Sequence, residues 1–199
     1  MNGAAGCNVN LDDMKPRYSW VVAALCAPRL LPALDLTPLH GFRELEGFKI
    51  PIVCFTDGSR KVSYQPPAQW RISGSGDSLQ LSAGTREQAV LQFRVCPRPA
   101  MADGAGEDFE RWARALLPGD ATDIVRQAEA TGQFTLGAQP SRELTFSYRA
   151  SARGFQSSVA WVELGDRERL AVVVTARTPD FKAVHDEAIA SLFSWNWSE

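Results

Sequence analysis

The chain has 199 residues, enough for one domain with a proper core and too few for two comfortable ones. Hydrophobic residues make up 45% and charged residues 22%, a globular balance that excludes a disordered chain. A net charge of −2 with no run of Lys and Arg excludes a general attraction to nucleic acid or to anionic lipid.

Residues 1–35 differ from the rest in composition. Met14, Lys15, Pro16 and Arg17 make a short basic start, and an apolar stretch from Trp20 to Leu34 follows, broken by Pro28, Arg29 and Pro32. Together they read as a secretory signal peptide starting at Met14, with Met1 to Asp13 an over-extended start and Ala33 the residue before cleavage. Arg29 opposes that reading, and the competing one is a buried or partner-facing helix. The stretch is too short and interrupted for a stable span of about 20 apolar residues. Cys26 does not suit lipid attachment, because Leu25 stands where a small residue is needed. Export would leave Cys54 and Cys96, each near the end of a predicted strand, either to pair or to act as separate small core residues. With no CxxC and no clustered histidines there is no zinc site.

The single domain then runs over residues 36–199. Leu36 to Phe48 mixes turn and apolar residues and is expected to dock on the domain surface. Ile50 to Phe55 reads as a strand, turned by Asp57, Gly58 and Ser59 into a return strand from Lys61 to Tyr64. Pro66 and Pro67 stop it, since proline cannot donate to a ladder. Trp70 and Ile72 begin a short strand that ends at Gly74-Ser75-Gly76-Asp77. Leu79 and Leu81 alternate with polar neighbours, and Ala89, Leu91, Phe93 and Val95 share one face of the next strand.

Residues 100–106 read as a loop, with Glu107 and Asp108 suited to the start of a helix. Phe109, Trp112, Ala113, Leu116 and Leu117 recur at helical spacing, and Pro118 and Gly119 close the helix. Ile124 to Phe134 suggests a short strand and a turn at Gly132. Leu144, Phe146 and Tyr148 alternate with Thr145, Ser147 and Arg149, a clear strand. Phe155 to Leu164 and Leu170 to Thr175 form a hairpin around Gly165 and Asp166. Thr178 offers an N-cap, Pro179 a first helical residue, and Phe181, Val184, Ala188 and Leu192 a buried stripe. Antiparallel hairpins with helices entering late make the class α+β.

Tyr64, Pro66, Pro67 and Trp70, the Phe109-to-Trp112 helix, and a last strand feeding a helix that ends Ser191-Leu192-Phe193-Ser194 resemble the PsbP/Mog1-like superfamily, which includes DcrB-like bacterial envelope proteins. The resemblance spans Lys49 to Trp195. It implies an antiparallel sheet flanked by helices in an α/β/α sandwich, and an accessory or binding role without shared catalytic residues; no cofactor and no metal are expected for this chain. The absence of a lipidation cysteine separates this chain from the lipoprotein members.

His185, beside Asp186 and Glu187, is the residue that invites a chemical role. Its place within the buried stripe of the last helix favours a structural contact instead. The glycine-rich turn at Gly74 precedes a strand and lacks the lysine of a phosphate loop. Asp166, Arg167, Glu168 and Arg169 make a charged hairpin tip, a solvated face or a polar docking rim. Among the tryptophans, Trp195 is expected to fold back on the sheet, and Trp197 to offer a partner contact together with Arg167 and Arg169. The leading reading is a non-enzymatic exported protein of the bacterial envelope, periplasmic or secreted, with a protein partner and no nucleic acid. Its rivals are a hydrolase using His185 with nearby carboxylates and a carrier of a small apolar ligand.

Overall fold

The computed structural model describes residues 34–58, 60–97, 109–136, 139–164 and 168–198. The basic start, the apolar stretch before Leu34, residues 100–106, Glu107, Asp108, Ser59, the Gly165-Asp166 turn and Arg167 lie outside the described residues.

Two antiparallel sheets carry the fold. The smaller has the order β1-β2-β3-β11, built from Leu34–Leu45, Phe48–Asp57, Arg60–Tyr64 and Asn196–Ser198. The larger contains β4 (Trp70–Ser75), β5 (Ser78–Ala83), β6 (Val90–Pro97), β7 (Thr122–Leu136), β8 (Gln139–Ala150), β9 (Arg153–Glu163) and β10 (Glu168–Arg177). Its order is β4-β5-β6-β10-β9-β8-β7. Helices α1 (Phe109–Arg114) and α2 (Phe181–Leu192) are short.

One face of the large sheet packs on α2 and the inner face of the small sheet. Leu79, Leu81, Leu91, Phe93, Leu170, Val172 and Val174 meet Val53, Phe55, Val62, Tyr64, Val184 and Leu192 there. The other face packs on α1, with Phe109, Ala113 and Leu117 against Leu144, Phe146, Val159, Trp161 and Val173. Strand β10 lies between β6 and β9, and its run of Leu170 to Val174 is buried on both faces, as a central strand between two packed layers requires.

This arrangement corrects the α/β/α sandwich. Strands dominate, and most of one outer layer is the four-stranded sheet rather than a helix. The opposing layer is a helix of six residues. The difference comes from two segments. Residues 36–48, expected to dock as a surface segment, form the edge strand β1 and its turn. Residues 124–134, expected to hold a short strand and turn, belong to the 15-residue strand β7, which passes Gly132 at φ 75° through a register shift. Both are end strands, so both carry polar residues on exposed faces and lose the alternation that marks a half-buried strand.

Smaller adjustments follow the same logic. Leu164 N–H donates to Glu168 O at 3.0 Å and Arg169 pairs with Glu163, which sets the register of the β9–β10 hairpin. The N-cap of α2 is Asp180 rather than Thr178, and its side chain makes no capping bond. Leu34, assigned by sequence to the segment before the domain, is 1% exposed and belongs to the core. Cys54 and Cys96 are both free thiols. Among the described residues no helix is long and apolar enough to cross a membrane.

Candidate functional site

A cleft of about 370 Å³ opens where the β1–β2 hairpin meets the β3–β4 loop. His40 comes from β1, and Pro51, Ile52 and Val53 from β2; Gln65 to Gln69 line the loop side, and Trp70 and Ile72 come from β4. The wall is stiff for reasons visible in its residues. Pro66 and Pro67 fix two backbone φ angles. Gln69 holds a positive φ of 66°, and Trp70 N–H closes the turn onto Pro67 O at 3.3 Å.

The last helix pins the same loop from behind. Trp70 Nε1–H donates to Glu187 Oε1 at 3.0 Å, while Arg86 holds Glu187 Oε2 at 2.8 Å. Gln65 N–H donates to Ser194 Oγ at 2.8 Å, and Tyr64 and Ser191 hydroxyls lie 2.7 Å apart. The Pro-Pro-Trp wall is therefore set before anything binds. Its lining supplies apolar surface with one imidazole and two amides, from His40, Gln65 and Gln69. No carboxylate, hydroxyl or thiol side chain is among its lining residues, and the His40 imidazole is its one titratable group.

His185 lies elsewhere. Its Nε2–H donates to Glu143 Oε1 at 2.7 Å, and Ser158 donates to the same oxygen. Glu143 and Ser158 are 3% and 2% exposed, beneath α2. Burial pushes the Glu143 carboxyl up, and the hydrogen bonds from His185 and Ser158 outweigh it, leaving the group below its usual range. Serine and histidine thus share one acceptor oxygen instead of facing each other, and the buried serine has no route to a substrate. Sequence reasoning set Asp186 and Glu187 beside His185. Asp186 Oδ1 is 3.9 Å from Nδ1, and Glu187 turns to Trp70 and Arg86. Glu143 carries no local signal in the sequence; strand register alone brings it under α2.

The residues expected at a docking rim separate. Arg169 is 7% exposed, its Nε donating to Glu163 Oε1 at 2.9 Å and its guanidinium lying 3.9 Å over the Trp161 ring. Trp197 pairs with Val62 through β11, packs against Trp195 at 6.1 Å and receives the Arg60 guanidinium at 4.9 Å. Trp195 does fold back, 7% exposed and stacked on Phe55 at 5.6 Å. The cleft residues escaped the sequence reading, although Pro66, Pro67 and Trp70 stood out in it.

The chain is similar to the solution structure of cyanobacterial PsbP (CyanoP) from Synechocystis sp. PCC 6803, at 10% identity and a TM-score of 0.46. The likeness covers 68% of this chain and 85% of that one. No family model matches the chain, and no curated protein matches it. Nothing in these comparisons bears on the Mog1-like or DcrB-like part of the resemblance.

Proposed function

We propose that the chain is a non-enzymatic exported binding protein of the bacterial envelope, periplasmic or secreted, whose cleft receives a small apolar ligand bearing a hydrogen-bonding group. The observation that carries this is the cleft of about 370 Å³, with its preset Pro66-Pro67-Trp70 wall and its three polar side chains. That size falls at the lower end of ligand sites, roughly 300–1,000 Å³. It sits between the hairpin and a loop rather than between sheet and helix. The hydrolase reading finds no support at His185, whose partners are buried and hold no open position for a substrate.

Titration with anilinonaphthalene sulfonate, which joins apolar rings to a polar head, tests the reading. The protein should bind one probe saturably, and Ile72→Trp, which fills the cleft, should abolish binding at an unchanged thermal midpoint. Absence of saturable binding, or full binding by the filled variant, would overturn it.

A further inference from the structure

Of the six large apolar side chains left exposed among the described residues, four gather on one element, and Val125 and Phe193 stand apart. Leu39, Phe42, Leu45 and Phe48 are 55%, 70%, 53% and 74% exposed, and all four belong to the β1–β2 hairpin. Strand β1 is an end strand. The β4–β5 turn covers only its start, where Leu36 N–H donates to Gly76 O at 2.6 Å. From Leu39 to Leu45 no described strand pairs with its outer edge.

The hairpin turn determines which backbone groups face outward. Glu46 and Gly47 have φ of 50° and 81°, both positive as a two-residue primed turn requires, so the flanking pair Leu45 and Phe48 is hydrogen-bonded. Alternation along the antiparallel ladder then makes Arg43/Ile50 and Gly41/Ile52 hydrogen-bonded pairs. The N–H and C=O groups of His40, Phe42 and Glu44 are left pointing away from β2.

We propose that two copies of this chain associate through that edge, pairing β1 antiparallel about a two-fold axis at Phe42 and fusing their four-stranded sheets into one. Two-fold pairing within one continuous sheet sets each residue opposite one an even number of positions away. Centred on Phe42, His40 faces Glu44 of the second copy, and its imidazole N–H can donate to that carboxylate on both sides of the axis. Leu39 faces Leu45, Phe42 meets its own counterpart, and Gly41 leaves room for Arg43. The outward backbone groups of His40, Phe42 and Glu44 are the ones that find partners.

Other centres fail on charge or contact. Centring on Arg43 or Glu44 opposes like charges, which destabilises a cross-strand pair, and centring on Gly41 sets Leu39 against Arg43. Pro38 has no N–H and Glu46 lies in the turn, so the ladder stops at both ends. An uncovered apolar edge is a template for another strand, and the symmetric placement of His40 and Glu44 makes that strand its own copy. The pairing brings Glu44 of the second copy beside His40 at the cleft, yet it does not depend on what the cleft holds.

Sedimentation of the full chain tests this. At roughly 100 µM, which populates any complex of micromolar Kd, the chain should be a dimer. His40→Glu sets two carboxylates face to face twice and should weaken the dimer roughly tenfold. Adding Glu44→His should restore it, since the complementary pair is only exchanged. Both positions are exposed, and circular dichroism confirms that the variants fold. Phe42→Asp, which places two carboxylates on the axis, should be a monomer. A wild-type monomer overturns the proposal, as does a dimer indifferent to His40→Glu or one that the double variant fails to rescue.

Discussion

His185 Nε2 lies 2.7 Å from Glu143 Oε1, and the two residues join the last helix to a strand 42 positions earlier in the chain. Glu143 Oε2 is buried with no hydrogen-bond partner among the described residues, so the pair is held on one carboxylate oxygen. A buried charge held by His185 and Ser158 on one oxygen is stabilising only while those contacts persist.

The sign of the Glu143 shift makes this testable by pH. Its carboxyl is held below the ordinary 4.5 by hydrogen bonds from His185 and Ser158, against the upward push of burial. A depressed folded value contributes stability that is present above the unfolded value and lost as pH falls through the folded one. Urea unfolding should therefore show Glu143→Gln less stable than wild type by about 1–3 kcal/mol near neutral pH. The gap should narrow below about pH 4.5. A gap that stays constant down to about pH 3 would rule out an ionised Glu143 as its cause.

His185→Gln should cost roughly 0.5–3 kcal/mol and leave probe binding in the cleft intact, because the imidazole braces α2 on the sheet and does not line the cleft. Lost binding at an unchanged thermal midpoint would contradict the structural role.

How far these features were legible in the sequence depended on how many faces a segment buries. Leu91, Phe93 and Val95 alternate against solvent and announced β6, and the stripe of Phe181, Val184, Ala188 and Leu192 announced α2. Strand β1 gave no such pattern. Its apolar Phe42 and Leu45 stand exposed on opposite faces, and Pro38 and Gly41 read as turn residues. On β8 the alternation from Leu144 to Arg149 was legible, but nothing local marked Glu143, which lies on the face that α2 covers and is 3% exposed. The cleft was hidden for another reason: its walls come from β1, β2, β4 and the loop at Pro66, and only tertiary packing brings them together.

Gly74 offers a backbone test of the β4–β5 hairpin. A Cβ there would lie 2.6 Å from Ser78 O and 2.9 Å from Leu79 Cα, both backbone atoms that cannot swing aside. Gly74→Ala should cost about 1–3 kcal/mol, the range for forcing extra atoms into a packed site. Gly119→Ala, with open space around it, should leave the unfolding midpoint nearly unchanged by the same assay. Equal effects would mean that the hairpin relaxes freely.

Export predicts a defined mature start. On the exported reading proposed above, the basic Lys15 and Arg17, the apolar run and the small Ala33 would put cleavage just before Leu34. Mass spectrometry of protein from the native host should find Leu34 as the first residue. Recovery of a chain beginning at Met1 or Met14 would sink the exported reading.

Phe181 opens α2 and is 8% exposed, in contact with the His185 ring at 5.4 Å and within the cluster that joins the two sheets. Helix α2 packs on β10, the strand with its apolar run buried on both faces, so a hole at Phe181 adjoins the centre of the large sheet. Phe181→Ala should cost about 3–5 kcal/mol, through lost transfer energy and an unfilled cavity. Truncating exposed Phe193 to Ala, one residue past the helix and 70% exposed, should cost within about 0.5 kcal/mol. Urea denaturation of both variants gives the comparison, with the slope of each transition checked against wild type. If Phe181→Ala shifts stability by under about 1 kcal/mol, the first turn of α2 lies loosely on the sheet and Val184, Ala188 and Leu192 carry its packing.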